Sequence, residues 1–388
     1  MTSAAGLPHI LLINHEFPPI GGGAATATEN IARELRKLGA RVTVLTSAYR
    51  DLPAREVREG CDILRIAALR RRADSSNILE MISFLLCSLW WAVRRSARYK
   101  ADVCIAFFGL PAGPAAWILR QRHGTPYIIS LRGGDVPGFL PEVLRNWHRL
   151  SGRLIRFLWR GAAFVVANSR GLAALARKCD PEQRVLVIPN GVDTAWPERA
   201  SGKEPSADIR LITVGRLNLQ KNYPSLLRAL AALRETGWTL EIIGDGPERN
   251  ALQSLAQELG LADRVFLRGW IDRKELPAHL AKADVFVFPS LQEGMPNTVL
   301  EAMVAGLPVI ACAVEGCEEL VVDGKTGILV PPDDVSALQS ALARLMAAPE
   351  LGEKMGQAGR RRALEHYTWY TTAAAYLALC RKLSINHA

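Results

Sequence analysis

E-G-M-P-N-T-V-L-E occupies residues 293–301, between V-F-V-F (285–288) and A-M-V (302–304). The apolar run reads as a strand and the segment after it as a helix, so a parallel strand hands over to a helix here. In open α/β sheets ligands bind outside the carboxyl ends of the strands, and a helix N-terminus presents free N–H groups and a positive dipole to an anion. Pro296 suits the first helical turn, where its missing N–H costs nothing, which leaves Asn297 and Thr298 to offer amides to a diphosphate. Two carboxylates beside a phosphate need different partners. Hydroxyls serve: Glu301 is expected to accept from a ribose and Glu293, on the loop, from a sugar. The spacing alone fits solvated carboxylates at a helix start equally well.

Working outward, strand-like runs alternate with helical segments along the whole chain, the pattern of parallel sheets with helices on both faces. The first set of strands falls at 9–14, 41–46, 102–108, 126–131, 163–169 and 185–189. A second set falls at 210–215, 239–245, 265–269, 285–289 and 308–312. Between them, T-A-W-P-E-R-A-S-G-K-E-P-S-A-D (194–208) is polar and rich in Pro, Gly and Ser, as linkers are. The expected architecture is two Rossmann-like domains facing each other across a cleft. The first spans 1–195, 196–208 is the linker and the second spans 209–369. Residues 370–388 form a last helix.

A chain of 388 residues exceeds a typical single core, and 49% hydrophobic with 22% charged residues is a globular composition. Seven cysteines without a C-x-x-C fit neither a disulfide framework nor a structural zinc site, so a reducing cytoplasm is expected. The first residues carry no basic region and lead into only a short apolar run, unlike a signal peptide. The net charge of +10 is uneven. Residues 1–200 hold 28 Lys and Arg against 16 Asp and Glu, and residues 201–388 hold 20 against 22. Any anionic surface is therefore met by the first half.

Gly215-Arg216 follows a strand, and Lys221 stands at the mouth of the next helix, so a rigid fork and a point charge can converge on a diphosphate. The bland alternative is a pair of solvated loop cations. Gly21-Gly22-Gly23 lies between the first strand and an amphipathic helix at 26–38, where glycines let amides approach an anion or sugar. It fails as a G-x-G-x-x-G fingerprint because Thr26 occupies the third glycine's place. No D-x-D occurs, which removes the usual ligands of a metal bridge to a diphosphate and predicts a metal-independent reaction with no cofactor.

These runs, taken in order with V-I-P-N-G-V-D (187–193), G-D-G-P-E-R (244–249) and D-G-K-T-G-I-L-V-P (323–331), cover nearly the whole chain. Together they resemble the retaining glycosyltransferases of family 4, which have the GT-B fold. The resemblance implies that Arg216 and Lys221 hold the phosphates of the departing nucleotide, with Gly215, Gly244, Gly246, Glu293, Gly294, Met295, Pro296, Asn297, Thr298 and Glu301 around the donor. It further implies that Gly22 and Gly23 close on the donor phosphate and the acceptor, and that the last helix returns to the first domain. Many relatives have His-Gly-x-Asp where this chain has Arg132-Gly133-Gly134-Asp135. Arg132, Gly133 and Asp135 are thus expected at the acceptor, with Asp135 counted beside Glu293, Arg216 and Lys221 as catalytic; a turn-capping Asp135 is the alternative. His15 and His123 are further cleft positions. Asn190-Gly191 reads as a hinge turn.

P-E-V-L-R-N-W-H-R-L-S-G-R-L-I-R-F-L-W-R-G (141–161) places Arg145, Arg149, Arg153, Arg156 and Arg160 on one helical stripe among Trp, Leu and Phe residues, a form suited to an anionic membrane surface. I-L-E-M-I-S-F-L-L-C-S-L-W-W-A-V (78–93) precedes Arg94, Arg95, Arg98 and Lys100 and is short for a span. An ordinary solvated face is the competing account. The reading is a cytoplasmic enzyme peripheral to the inner face of the plasma membrane, taking a nucleotide-sugar donor and a lipid-linked or glycan acceptor. No nucleic-acid module is recognisable. A soluble transferase or epimerase, or a non-catalytic nucleotide-binding subunit, would share the architecture.

Overall fold

In the computed structural model, which describes residues 7–73, 76–197 and 208–385, the strand β1 (His9–Ile13) is buried along its length. Its alternation sorts the first core into two layers. Ile10 and Leu12 pack in one apolar cluster and Leu11 and Ile13 in the other, as the two-residue repeat of a strand requires. The sheet adds β2 (Arg41–Ser47), β3 (Arg55–Arg58), β4 (Cys61–Ile66), β5 (Val103–Phe107), β6 (Tyr127–Leu131), β7 (Phe164–Ala167) and β8 (Val185–Val187). The strand order is β3-β4-β2-β1-β5-β6-β7-β8. All neighbours run parallel except β3 against β4. On one face lie α1 (Gly23–Lys37) and the terminal helix Trp369–Ile385. On the other lie α2 (Ile78–Arg94), α3 (Gly113–His123), α4 (Pro141–Gly161) and α5 (Arg170–Cys179).

The second sheet is parallel throughout: β9 (Ile209–Val214), β10 (Trp238–Ile243), β11 (Val265–Gly269), β12 (Val285–Phe288), β13 (Val309–Cys312) and β14 (Gly327–Val330), ordered β11-β10-β9-β12-β13-β14. Its helices are α6 (Tyr223–Ala231), α7 (Arg249–Glu258), α8 (Leu276–Lys282), α9 (Asn297–Val304), α10 (Glu315–Leu320), α11 (Val335–Ala347) and α12 (Pro349–His366).

The chain divides into Met1–Gly191 with Trp369–Ala388, and Val192–Thr368. The division thus falls inside the P-N-G-V-D run and not at 195, because the Val192 amide bonds the Tyr367 carbonyl at 2.9 Å and its side chain joins the second core. Residues 198–207 of the expected linker and 386–388 of the last segment lie outside the described residues. The terminal helix is tied to the first unit by Tyr376 Oη to Ser130 Oγ at 2.7 Å and by Thr372 Oγ1 donating to the Pro189 carbonyl at 2.8 Å. Three strands escape a reading based on apolar runs. R-E-V-R of β3 is an exposed charged edge, β4 carries Asp62 and Arg65, and G-I-L-V of β14 is short. All seven cysteines are free, and burial pushes the Cys312 thiol up to about 11 and that of Cys380 to about 12.

Candidate active site

In the second sheet β9, β10 and β11 step one way and β12, β13 and β14 the other. The reversal leaves a crevice at the carboxyl ends of β9 and β12. The loops leaving those two strands are stitched across it. Gln220 Nε2 donates to the Gln292 carbonyl at 2.6 Å, and the Leu291 amide to the Gln220 carbonyl at 2.8 Å. After β9 the chain makes one 3-10 turn, Leu219–Lys221, and Asn222 (φ 49°) redirects it into α6. That turn aims Lys221 inward. Its Nζ lies 2.6 Å from Glu293 Oε1 and 4.5 Å from the Phe288 ring centroid, and Ser290 Oγ donates to the same carboxylate oxygen at 2.6 Å. The two charged side chains are only 15% and 10% exposed. Arg216 stands exposed at the end of β9.

Gly215, Gly244 and Gly246 owe their identity to packing. Gly244 has φ +137°, and a Cβ there would sit 2.0 Å from the Gly215 carbonyl oxygen; one on Gly246 would sit 2.3 Å from that of Leu217. A Cβ on Gly215 would press on Tyr223 Oη and Lys221 Cε at 2.9 and 3.1 Å. The G-D-G-P loop therefore braces the Arg216 loop, with the Leu217 amide bonded to the Asp245 carbonyl at 3.0 Å.

Gly294, Met295 and Pro296 are buried between Glu293 and α9. Pro296 is the N-cap of α9, one place earlier than the first turn expected of it, so the amides of Asn297 and Thr298 open the helix without intrahelical acceptors. Glu301, one turn on, is 2% exposed and pairs through Oε1 with Arg273 Nη2 from the loop after β11, while Oε2 is buried with no partner among the described residues. Burial pushes its carboxyl above the usual range and Arg273 opposes the shift.

In the first unit the analogous reversal lies between β1 and β5. Gly22 caps α1 and Gly23 is its first residue, both exposed. Asp135, expected at the acceptor, is instead turned inward. Its Oδ1 accepts from the Arg132 and Gly133 amides at 2.9 and 3.1 Å and its Oδ2 from the Gly109 amide at 2.9 Å. It fastens the loop after β6 to the end of β5 and does not cap the segment that follows. Burial holds its carboxyl above the usual range, against these bonds. Arg132 stacks on the Phe107 ring at 4.7 Å and donates to Asn190 Oδ1 at 2.6 Å; its Nε and Nη2 are buried without partners among the described residues. His15 is buried against Phe108 and Phe84, and burial lowers its pKa. His123 ends α3 just before β6, at the amino-terminal end of that strand, and bonds Ser96 Oγ at 2.8 Å.

On α4 the five arginines are all exposed. Arg160 differs from the rest because its guanidinium forks onto Asp180 at 2.9 and 3.0 Å. Of the residues singled out by motif spacing in the second unit, Lys221 and Glu293 meet, while Gly215 and Arg216 lie on the loop after β9 and 294–298 follow Glu293 into α9. Ser290, Gln220 and Arg273 escaped that spacing. Ser290 could have been found three places before Glu293, but D-R-K-E around Arg273 carries no signal.

Residues 195–362 match the family described as glycosyl transferases group 1, and residues 22–191 match the glycosyl transferase 4-like domain. The chain is 29% identical to the GDP-mannose-dependent alpha-(1-6)-phosphatidylinositol monomannoside mannosyltransferase of Mycolicibacterium smegmatis, over 94% of this chain and 96% of that one. Among solved structures, sucrose-phosphate synthase from Thermosynechococcus elongatus superposes with a TM-score of 0.86 at 25% identity, covering 98% of this chain and 100% of that one. Anabaena Alr3699/HepE in complex with UDP-glucose does so with a TM-score of 0.76 at 20% identity, covering 96% and 99%. With both halves matched and two parallel-sheet units of this topology, the chain belongs to the group 1 glycosyltransferases of GT-B fold.

Proposed function

We propose that this glycosyltransferase is a retaining, metal-independent enzyme that moves a hexose or N-acetylhexosamine from a UDP- or GDP-sugar to a saccharide or lipid-linked acceptor at an anionic membrane surface, in surface-glycan synthesis. The observation that carries the reading is the Lys221–Glu293 contact in the crevice between β9 and β12, with Arg216 on the same loop as Lys221 and α9 starting at Asn297, four residues after Glu293. When the donor's C1–O bond breaks, negative charge collects on the departing diphosphate. Arg216, Lys221 and the amides of Asn297 and Thr298 supply the opposing charge in a site where little reorganisation is needed. The acceptor oxygen then bonds C1 on the face the diphosphate leaves, and the acceptor proton passes to a diphosphate oxygen. Glu293 is held by Lys221 and Ser290, which suits it to orienting sugar hydroxyls rather than attacking C1. Glu301 takes the ribose.

The acceptor side rests on α2 and α4, which pack with α3 on the same face of the first sheet. Outward, α2 exposes Ile78, Leu79, Ile82, Leu86 and Trp90 ahead of Arg94, Arg95 and Arg98. On α4, Leu150 is 83% exposed and stands with Leu154 and Phe157 among Arg149, Arg153 and Arg156. Apolar side chains flanked by guanidinium groups complement anionic headgroups over acyl chains. Among the described residues no helix is long and apolar enough to cross a membrane, so the proposed attachment is peripheral. A mycobacterial relative named for a phosphatidylinositol mannoside acceptor supports the same choice.

The test is a screen of UDP-, GDP-, ADP- and TDP-sugars for thermal stabilisation and slow hydrolysis, with and without EDTA, followed by NMR of the product anomer. One donor acting regardless of EDTA, with its anomeric configuration kept, is the expected result. Loss of activity in EDTA refutes metal independence, and silence with every donor favours a non-catalytic subunit. Co-sedimentation with phosphatidylglycerol vesicles at physiological salt tests the membrane; no binding points to a soluble acceptor.

A further inference from the structure

Glu301 lies buried on α9 with one oxygen engaged by a cation and the other by nothing among the described residues. The cation comes from elsewhere: Arg273 sits in the loop between β11 and α8, and its side chain is 42% exposed against 2% for Glu301. A buried carboxylate with an empty oxygen is costly unless a donor arrives. We propose that Arg273 is the positioning residue for nucleoside recognition: it holds Oε1 of Glu301 so that Oε2 stays open as the acceptor for a ribose hydroxyl of the nucleotide. This rests on the reading of Glu301 as the ribose contact.

The electrostatics run the same way. Burial raises the Glu301 pKa and Arg273 lowers it. Arg273 is the charged group acting on this carboxylate. Of the helices packed against α9, α12 brings Arg360, whose guanidinium donates to the Val304 carbonyl at the far end of α9, and α10 brings Glu315 and Glu318, which are not among the charges acting on Glu301. Without Arg273 the burial is unopposed and the pKa climbs further. An affinity that needs the carboxylate is complete above that pKa and is lost as pH falls through it.

Calorimetric titration of the full chain with UDP and GDP and with their 2′-deoxy forms, from pH 5.5 to 8, tests this in wild type, Arg273→Gln, Arg273→Lys and Glu301→Gln, each checked for folding by thermal unfolding. Arg273→Gln is expected to lose at least about threefold more ribonucleotide affinity than wild type does between pH 8 and pH 6, because burial that is no longer opposed raises the carboxyl pKa. Arg273→Lys is expected to restore the wild-type profile, and Glu301→Gln to abolish the preference for ribose over deoxyribose. A preference that survives Glu301→Gln removes the ribose reading and this inference with it. A preference lost in Glu301→Gln, with Arg273→Gln matching wild type or weakened equally at every pH, overturns the role of Arg273 alone.

Discussion

Glu293→Gln and Lys221→Ala should shift nucleotide affinity in opposite directions. In the free protein Lys221 Nζ and Glu293 Oε1 are 2.6 Å apart, so the cation proposed for the diphosphate is already half satisfied. Glutamine keeps the shape and still accepts from Lys221 and Ser290, but removes the competing charge. A charge-assisted contact contributes about 1.5–3 kcal/mol, and releasing part of one should tighten UDP or GDP binding by roughly threefold to tenfold. Turnover should fall at least about a hundredfold, because the sugar hydroxyls lose an ionised acceptor as charge develops. Lys221→Ala removes the contact altogether and should weaken nucleotide binding by about 1.5–3 kcal/mol, with turnover down about 10²–10³-fold. It also leaves Glu293, 10% exposed, with the Ser290 hydroxyl but without its cation, at a cost of about 3 kcal/mol to the second unit. Calorimetry with UDP and GDP, donor hydrolysis rates and thermal unfolding read the three effects. Glu293→Gln binding nucleotide as weakly as Lys221→Ala, or turning over at the wild-type rate, would refute the reasoning.

Gly244→Ala should destabilise the second unit by roughly 3 kcal/mol, since its Cβ meets a backbone oxygen and not a movable side chain, and lower Tm by about 6–12 °C in calorimetry. Asp135→Asn turns an amide N–H₂ toward one of three backbone donors; a loss of about 1–3 kcal/mol in urea unfolding is expected, with residual transfer activity in the folded fraction. His9 and His15 are both held below the usual histidine pKa by burial, so the unfolded chain takes up protons first. Their contribution to stability is complete above about pH 6.5. It declines on acidification by at most about 1.4 kcal/mol per pH unit for each histidine until the folded pKa is reached. His15→Gln should flatten the pH dependence of stability measured by urea unfolding between pH 6.5 and 5.

The sequence by itself determined the two α/β units and the crevice residues of the second. Val285-Phe286-Val287-Phe288 has to be a buried strand, and a helix beginning at Asn297 has to point its amides out of the carboxyl end of that strand, because the pleat and the helix dipole are local properties. Spacing of five residues likewise brought Lys221 and Arg216 to one loop. What the tertiary structure decided is which partner each group meets. Asp135 became a loop fastener because three backbone amides from two separate loops surround it, and Arg160 joined Asp180 instead of its own stripe. Lys221 and Glu293 lie 72 positions apart in the chain, and Arg273 and Glu301 lie 28 apart. A local motif fixes the direction in which a side chain leaves its own element. Only the packing of one strand's loop beside another's fixes what stands within 3 Å of it, and the charge and hydrogen bonding of the site are set at that distance.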